Sequence, residues 1–318
     1  MITFCLVAGL ILLFFGGEAL VRGAVGTARS LSVSPLLIGL TVMAMATSAP
    51  ELVVSLQAAW ADRHAIAVGN VIGSNIANVL LILGVAAIIA ALPCRRDLIY
   101  RDGAFMLAGS LILAALVYSG SIERWHGMAL IAVLVAFLTY SFIRESRTGN
   151  GKAAEHKSEA DEVPSPPGGK LGALAFLIGG VVVLIIGARL LVYGATEMAR
   201  SFGVSEAVIG LSLVAVGTSL PELASVGIAA WRGQTDMALG NIIGSNVFNI
   251  FAILGTTSTV VPRIAIDPHF QGVDIWVMLA STALLLPLML TGARISRFEG
   301  SLFLAGYAAY IAWLYSGL

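Results

Sequence analysis

Glu51 and Glu222 close two near-identical hexapeptides, ATSAPE at residues 46–51 and GTSLPE at residues 217–222. Each glutamate lies inside a stretch otherwise apolar enough to span a bilayer. A carboxylate at membrane depth costs several kcal/mol unless something compensates it, so such a group marks an ion path or a binding site by default. The two acids are separated by 222 − 51 = 171 residues. The same offset aligns Gly39-Leu40 with Gly210-Leu211, Trp60 with Trp231 and Gly69-Asn70 with Gly240-Asn241. It also aligns the GSN triplets at 73–75 and 244–246, Asn78 with Asn249, and Leu83-Gly84 with Leu254-Gly255. One ungapped offset across residues 39–84 and 210–255 is a duplication, and it predicts one shared site built from both copies.

With 58% hydrophobic and 11% charged residues and a mean hydropathy of +0.94, the chain is too apolar to present a water-compatible surface as a soluble globule. The expected fold is an all-α polytopic membrane protein. Apolar runs of the length that crosses a hydrocarbon core predict ten spans, at 3–22, 34–60, 66–92, 103–120, 126–143, 171–195, 206–231, 237–261, 272–290 and 298–316. The first of these reads as a retained span, since no basic segment or small-residue cleavage site marks it as a signal peptide. The polar stretch 144–170, with Pro164, Pro166, Pro167 and mixed charges, cannot bury a core and reads as a mobile linker. This divides the chain into a first five-helix repeat at 1–143, a linker at 144–170 and a second repeat at 171–318. Five is odd, so the second copy crosses the membrane in the opposite sense. Inverted-topology repeats of this kind place their sites near the midplane.

Lys and Arg are biased to one side. If the amino terminus is outside, the inner side holds Arg22, Arg29, Arg95, Arg96, Arg101, Arg144, Arg147, Lys152, Lys157, Lys170, Arg232, Arg294 and Arg297. Only Arg63, Arg124, Arg200 and Arg263 fall outside, and Arg189 lies within span six. The bias puts both termini outward and the linker in the cytoplasm.

Pro50 and Pro221 interrupt spans two and seven. Each lacks the N–H that would bond the carbonyl four residues back, which frees carbonyls around Ala46 and Gly217. Thr47 and Ser48 stand beside one break and Thr218 and Ser219 beside the other. Carbonyls, hydroxyls and a carboxylate form an all-oxygen set that suits hard cations such as Na⁺ and Ca²⁺. Asn70, Ser74 and Asn78 share one helix face in span three, and Asn241, Ser245 and Asn249 repeat the stripe in span eight. Asn78 and Asn249 are the better ligand candidates, whereas Asn70 and Asn241 fit a structural or a ligand role equally. The accompanying glycines, Gly69 with Gly73 and Gly240 with Gly244, are spaced for close helix packing. Glu18 and Glu197 sit near span ends and read as interface anchors, and Asp274 as solvated. No basic residue lies near the middle of spans two, three, seven or eight, so a cation or a proton must neutralise the two glutamates.

Other chemistries find no footing. His64, His126, His156 and His269 fall in loops or at span edges and form no transition-metal cluster. No phosphate-binding glycine loop, HExxH or GxSxG occurs, and Ser48 and Ser219 lack a histidine or lysine partner at depth, so an enzyme is not expected. Cys5 and Cys94 are too few for a disulfide framework, and a balanced formal charge gives no reason to expect nucleic acid as a partner.

The paired motifs GLTVMAMATSAPE with GNVIGSNIAN and GLSLVAVGTSLPE with GNIIGSNVFN resemble the alpha-repeats of the sodium/calcium exchanger branch of the calcium/cation antiporter superfamily, in its compact prokaryotic form. The resemblance implies exchange of Na⁺ for Ca²⁺ by alternating access in a prokaryotic inner membrane. Both ions are transported, and no cofactor is implied. It implies that Glu51 and Glu222 share the central calcium with backbone oxygens at Thr47 and Thr218. Flanking sodium sites would use hydroxyls of Ser48, Ser74, Ser219 and Ser245 and carbonyls of Ala44 and Ala215. Spans one and six would slide obliquely across the core. Two departures stand out: Ala46 replaces the usual glycine of GTSxPE, and Asn249 stands where potassium-dependent relatives carry aspartate. A proton/cation antiporter and, from another class, a cation channel remain alternatives. The lipid bilayer and the transported cations are the expected partners, and a monomer is compatible with the sequence.

Overall fold

The computed structural model describes residues 1–31, 33–94, 98–161, 166–202 and 215–316. The expected start of span seven, with the Gly210-Leu211 end of the second repeat, lies outside the described residues.

The chain is helical along most of this length: α1 Ile2–Leu31, α2 Pro35–Thr47, α3 Ala49–Trp60, α4 His64–Ile89, α5 Tyr100–Tyr118 and α6 Arg124–Asp161. There follow α7 Gly169–Ser201, α8 Ala215–Thr218, α9 Leu220–Trp231, α10 Thr235–Val260, α11 Val273–Gly292 and α12 Arg297–Ser316. Among the described residues six helices are long and apolar enough to cross a membrane, and the α2–α3 pair, bent by 44°, makes a seventh. The sequence leads one to expect ten. Of the remainder, α8–α9 is broken at Ser219, α11 contains Pro287, and α12 carries three tyrosines that lower its hydropathy.

The polar stretch read as a linker is helical as far as Asp161, continuing α6 without a break. Ala153, Ala154, Glu155, Lys157 and Glu159 are good helix formers, so local propensity favours helix through this stretch.

The core sits on α10, 94% buried over its apolar window, and α4, at 72%; α6, at 28%, lies at the periphery. Helices α1 and α7 pack against each other along most of their length. Gly9, Gly16 and Gly23 on one, and Gly180, Gly187 and Gly194 on the other, form heptad-spaced stripes related by the same 171-residue offset. At Gly23 an added Cβ would stand 2.3 Å from the Leu177 nitrogen, so only glycine allows the backbones this close. Gly9 faces Leu191, Gly16 faces Leu184 and Gly23 faces Leu177, so the two helices run antiparallel.

Among the described residues, four short strands lie in the connections, which a purely helical expectation omits. β1 Leu92–Pro93 pairs antiparallel with β4 Arg294–Ile295, and β2 Ser121–Glu123 with β3 Arg263–Ala265. Each pair ties a loop of the first half to a loop of the second. Such extended pairs satisfy backbone groups where helices end.

Cys94 follows β1, and its N–H donates to the Ala293 carbonyl at 2.7 Å. Burial pushes its thiol up to about 12; the Ile295 backbone N–H opposes the rise, and the Asp236 and Glu299 carboxylates add to it. Thiolate is therefore scarce at pH 8. In a Cys5→Ser background, maleimide should label the native protein far more slowly than the SDS-unfolded chain, and equal rates would contradict this environment.

Candidate cation site

Two helix breaks face each other at the centre of the protein. Ser48 (φ −81°, ψ 7°) separates α2 from α3, and Ser219 (φ −89°, ψ 5°) separates α8 from α9. In each copy the next residues restart the helix with proline in the first turn, where a missing N–H costs nothing, and glutamate follows at once. Glu51 and Glu222 thus project from helix N-termini, whose free N–H groups favour negative charge.

The halves are joined crosswise. The Ser48 hydroxyl donates to Glu222 Oε1 at 3.0 Å, and the Ser219 hydroxyl donates to Glu51 Oε1 at 3.3 Å. Thr47 and Thr218 also lie close to the opposite glutamate, Thr47 to Glu222 and Thr218 to Glu51. Both carboxylates are buried, and each retains one oxygen, Glu51 Oε2 and Glu222 Oε2, with no hydrogen-bond partner among the described residues. A buried acceptor left without a donor is costly, and in this charged form the cost is several kcal/mol. A bound cation removes it.

The other predicted residues lie on helices that pack against the two breaks. Ala44 is buried, and its carbonyl accepts from the Ser48 N–H at 3.0 Å and the Thr47 hydroxyl at 3.4 Å. Ala215 opens α8 at the edge of the described residues. Ser74 and Asn78 on α4 and Ser245 and Asn249 on α10 are all buried, and Asn249 Oδ1 has no partner among the described residues. Asn78 and Asn249 lie in matched π-helical turns, Ala77–Ile82 and Asn249–Leu254. The wider turn shifts backbone carbonyls off the α-helical ladder, as π-bulges at functional sites do.

Asn70 and Asn241 are wired differently. Asn70 Nδ2 donates to the Glu51 carbonyl at 3.1 Å and to Ser55 Oγ at 2.9 Å. Asn241 Nδ2 donates to Ser225 Oγ at 3.0 Å, and Ser225 in turn donates to the Glu222 carbonyl, also at 3.0 Å. Asn241 Oδ1 accepts from Thr47 at 3.5 Å and Ser245 at 3.4 Å. The two serines are not a repeat pair, since the offset takes Ser55 to Val226, and for that reason the sequence alignment does not expose them.

Two acids outside the centre differ from expectation. Glu18 does not snorkel to the interface; it is buried and accepts from Arg22 Nε at 2.8 Å and from Arg232 Nε and Nη2 at 2.9 and 2.7 Å. Asp274 is buried as well, accepting from the Tyr310 hydroxyl at 2.7 Å. In both cases a partner from another helix compensates the buried charge, information that one helix's sequence lacks.

The profile of the family described as "Sodium/calcium exchanger protein" matches residues 1–143 and 172–316, nearly the whole chain. The chain belongs to this family. It is 38% identical over 319 residues to the "Putative antiporter CaxA" of Alkalimonas amylolytica, covering 99% of this chain and 98% of that protein. It is 32% identical over 341 residues to the "Sodium/calcium exchanger MaX1" of Methanosarcina acetivorans, covering 98% and 97%. Among solved structures it resembles the sodium-calcium exchanger NCX_Mj soaked with Na⁺ and Ca²⁺, with a TM-score of 0.82, 32% identity and 98% and 97% of the two chains covered. As a compact exchanger of the calcium/cation antiporter superfamily, the chain is an integral membrane protein whose activity is antiport of calcium against another cation, which makes it a transporter.

Proposed function

We propose that this exchanger couples Na⁺ to Ca²⁺ by alternating access, holding its cations between Glu51 and Glu222. In this reading Thr47, Thr218, Ser48, Ser219, Ser74, Ser245, Asn78, Asn249 and the carbonyls of Ala44 and Ala215 complete the oxygen shell. The observation that carries it is the crosswise pair of buried glutamates, each with one oxygen bonded by the other half and one left over. Two carboxylates match the charge of one Ca²⁺ or two Na⁺, and hydroxyl and carbonyl oxygens are the ligands such hard cations take.

Ten crossings in two inverted repeats, 1–143 and 171–318 with 144–170 as a cytoplasmic linker, fit the same geometry. Helices α1 and α7 occupy equivalent places in the two copies yet run antiparallel, as inversion requires. The offset takes Leu92 of β1 to Arg263 of β3 (92 + 171 = 263), and the strand pairing β1–β4, β2–β3 respects that exchange. Contacts between the halves also join loops that ten crossings put on one side. Arg297 donates to the Ile89 carbonyl on the inner side, and Tyr118 to the Gln271 carbonyl on the outer side. With the arginine bias this supports outward termini, in the prokaryotic inner membrane that this reading takes as its location.

The rival is exchange of calcium against protons at the same carboxylates. Calcium uptake into vesicles with an imposed Na⁺ gradient and the proton gradient collapsed should proceed at full rate. Uptake that ignores Na⁺ and follows the proton gradient would replace this reading.

In this reading Asn249→Asp adds a third carboxylate to the cage, about 4 Å or more from the bound cation. We expect a shift in cation preference, read as changed Na⁺, K⁺ and Ca²⁺ dependence of flux by at least several-fold, since one added charge at this distance is worth roughly 1–4 kcal/mol. Unchanged dependence on all three ions would remove Asn249 from the shell.

A further inference from the structure

An apolar groove of about 370 Å³ opens between α1, α4 and α9, lined by Leu13 and Phe14, Ile89, and Leu223, Ile228 and Trp231, with no polar side chain on its walls. It begins beside Glu222, at the next residue of α9, and ends at Trp231, where the helix stops. That end carries a cationic rim. The Arg232 guanidinium lies 4.8 Å over the Trp231 ring while its Nε and Nη2 donate to Glu18, and Arg22 shares that carboxylate. Across the mouth, exposed Arg297 places Nη2 3.4 Å from the Ile89 carbonyl and has no carboxylate partner among the described residues. Arg22 and Arg232 thus share one carboxylate, and Arg297 is bonded to none among the described residues, the nearby Glu299 being held by Ser296, which leaves positive charge in excess at the open end of an apolar channel. A tryptophan beside arginines at a helix end marks the level of the headgroups.

We propose that this groove binds an anionic phospholipid, one acyl chain lying along α9 and the headgroup phosphate between Arg297 and Arg232. A groove that opens to the bilayer is filled by hydrocarbon, and the surplus positive charge at its mouth selects which amphiphile supplies it. A zwitterionic lipid brings its own cation to the same rim and gains less. Gly227 makes room for the chain: a Cβ there would meet only the Ile89 Cδ1, at 3.6 Å, so a larger side chain at 227 projects into the groove. Binding needs no transport cycle, so it stands or falls independently of the ion coupling proposed above.

The test is native mass spectrometry of the full detergent-solubilised chain titrated with phosphatidylglycerol or phosphatidylcholine, with elution profile and melting curve as checks on folding. Phosphatidylglycerol should be retained about tenfold more tightly than phosphatidylcholine. Arg297→Gln, an exposed substitution, should weaken phosphatidylglycerol retention roughly fivefold, the effect of one interfacial arginine. Gly227→Leu should remove the tightly held lipid. Equal retention of the two lipids, or wild-type retention of phosphatidylglycerol by either folded variant, overturns the proposal.

Discussion

Glu51→Gln and Glu222→Gln should each reduce calcium flux to background while leaving the protein folded and inserted. Glutamine keeps the shape and one carbonyl oxygen but deletes one of the two charges that face the cation. At an effective dielectric of about 20, a charge about 4 Å from a unit charge is worth roughly 4 kcal/mol, or about a thousandfold in binding, and a divalent ion loses more. The same substitutions should raise the melting temperature in cation-free buffer. Each removes the repulsion between two buried carboxylates and neutralises one buried charge whose Oε2 has no partner among the described residues. Calcium uptake into vesicles and thermal melts with and without Ca²⁺ check both halves of this expectation. Wild-type uptake by both variants would show that the cations pass elsewhere.

The second large effect concerns packing. Gly244 sits on α10 directly before Ser245, and a Cβ there would stand 2.3 Å from the Leu40 carbonyl oxygen and 2.7 Å from the Ala44 Cβ. Neither neighbour can move aside, one being helix backbone and the other a buried alanine beside the first break. Gly244→Val must therefore push α10 away from α2, separating Asn241 from Thr47. Overpacking of this kind costs about 1–3 kcal/mol or more, which in a chain of this size lowers the melting temperature by several degrees. Flux should be lost with it, because the cage opens along the same contact. Gly227→Ala is the control, its Cβ meeting nothing closer than 3.6 Å among the described residues, and it should melt at the wild-type temperature. Equal melting of the two variants would refute the close approach of α2 and α10.

Much of this was legible in the sequence because duplication writes each site residue twice. The 171-residue offset picks out the glutamates, the hydroxyls beside each break and the amide stripes without any three-dimensional information, and the prolines mark where the helices bend. The heptad glycines of α1 and α7 obey the same offset and were equally readable, but lie upstream of the motif that attracts notice. What the offset could not supply is whatever the two copies do differently. Ser55 and Ser225 are one register apart, and the carbonyls are held by different donors, that of Glu51 by Asn70 and that of Glu222 by Ser225. Glu18 looks like an interface anchor until Arg232, which has no charged counterpart in the first copy, is brought to it. The short strands likewise depend on loops from opposite halves meeting, and neither loop encodes the pairing alone.

The most direct measurement is anomalous scattering from crystals of the protein soaked in Sr²⁺ as a calcium mimic. A single strong peak within bonding distance of both Glu51 and Glu222, lost when Na⁺ is raised in its place, is the expected result. A well-ordered, fully exchanged crystal with no peak between the two carboxylates, or with strontium bound away from them, would contradict the account at its centre.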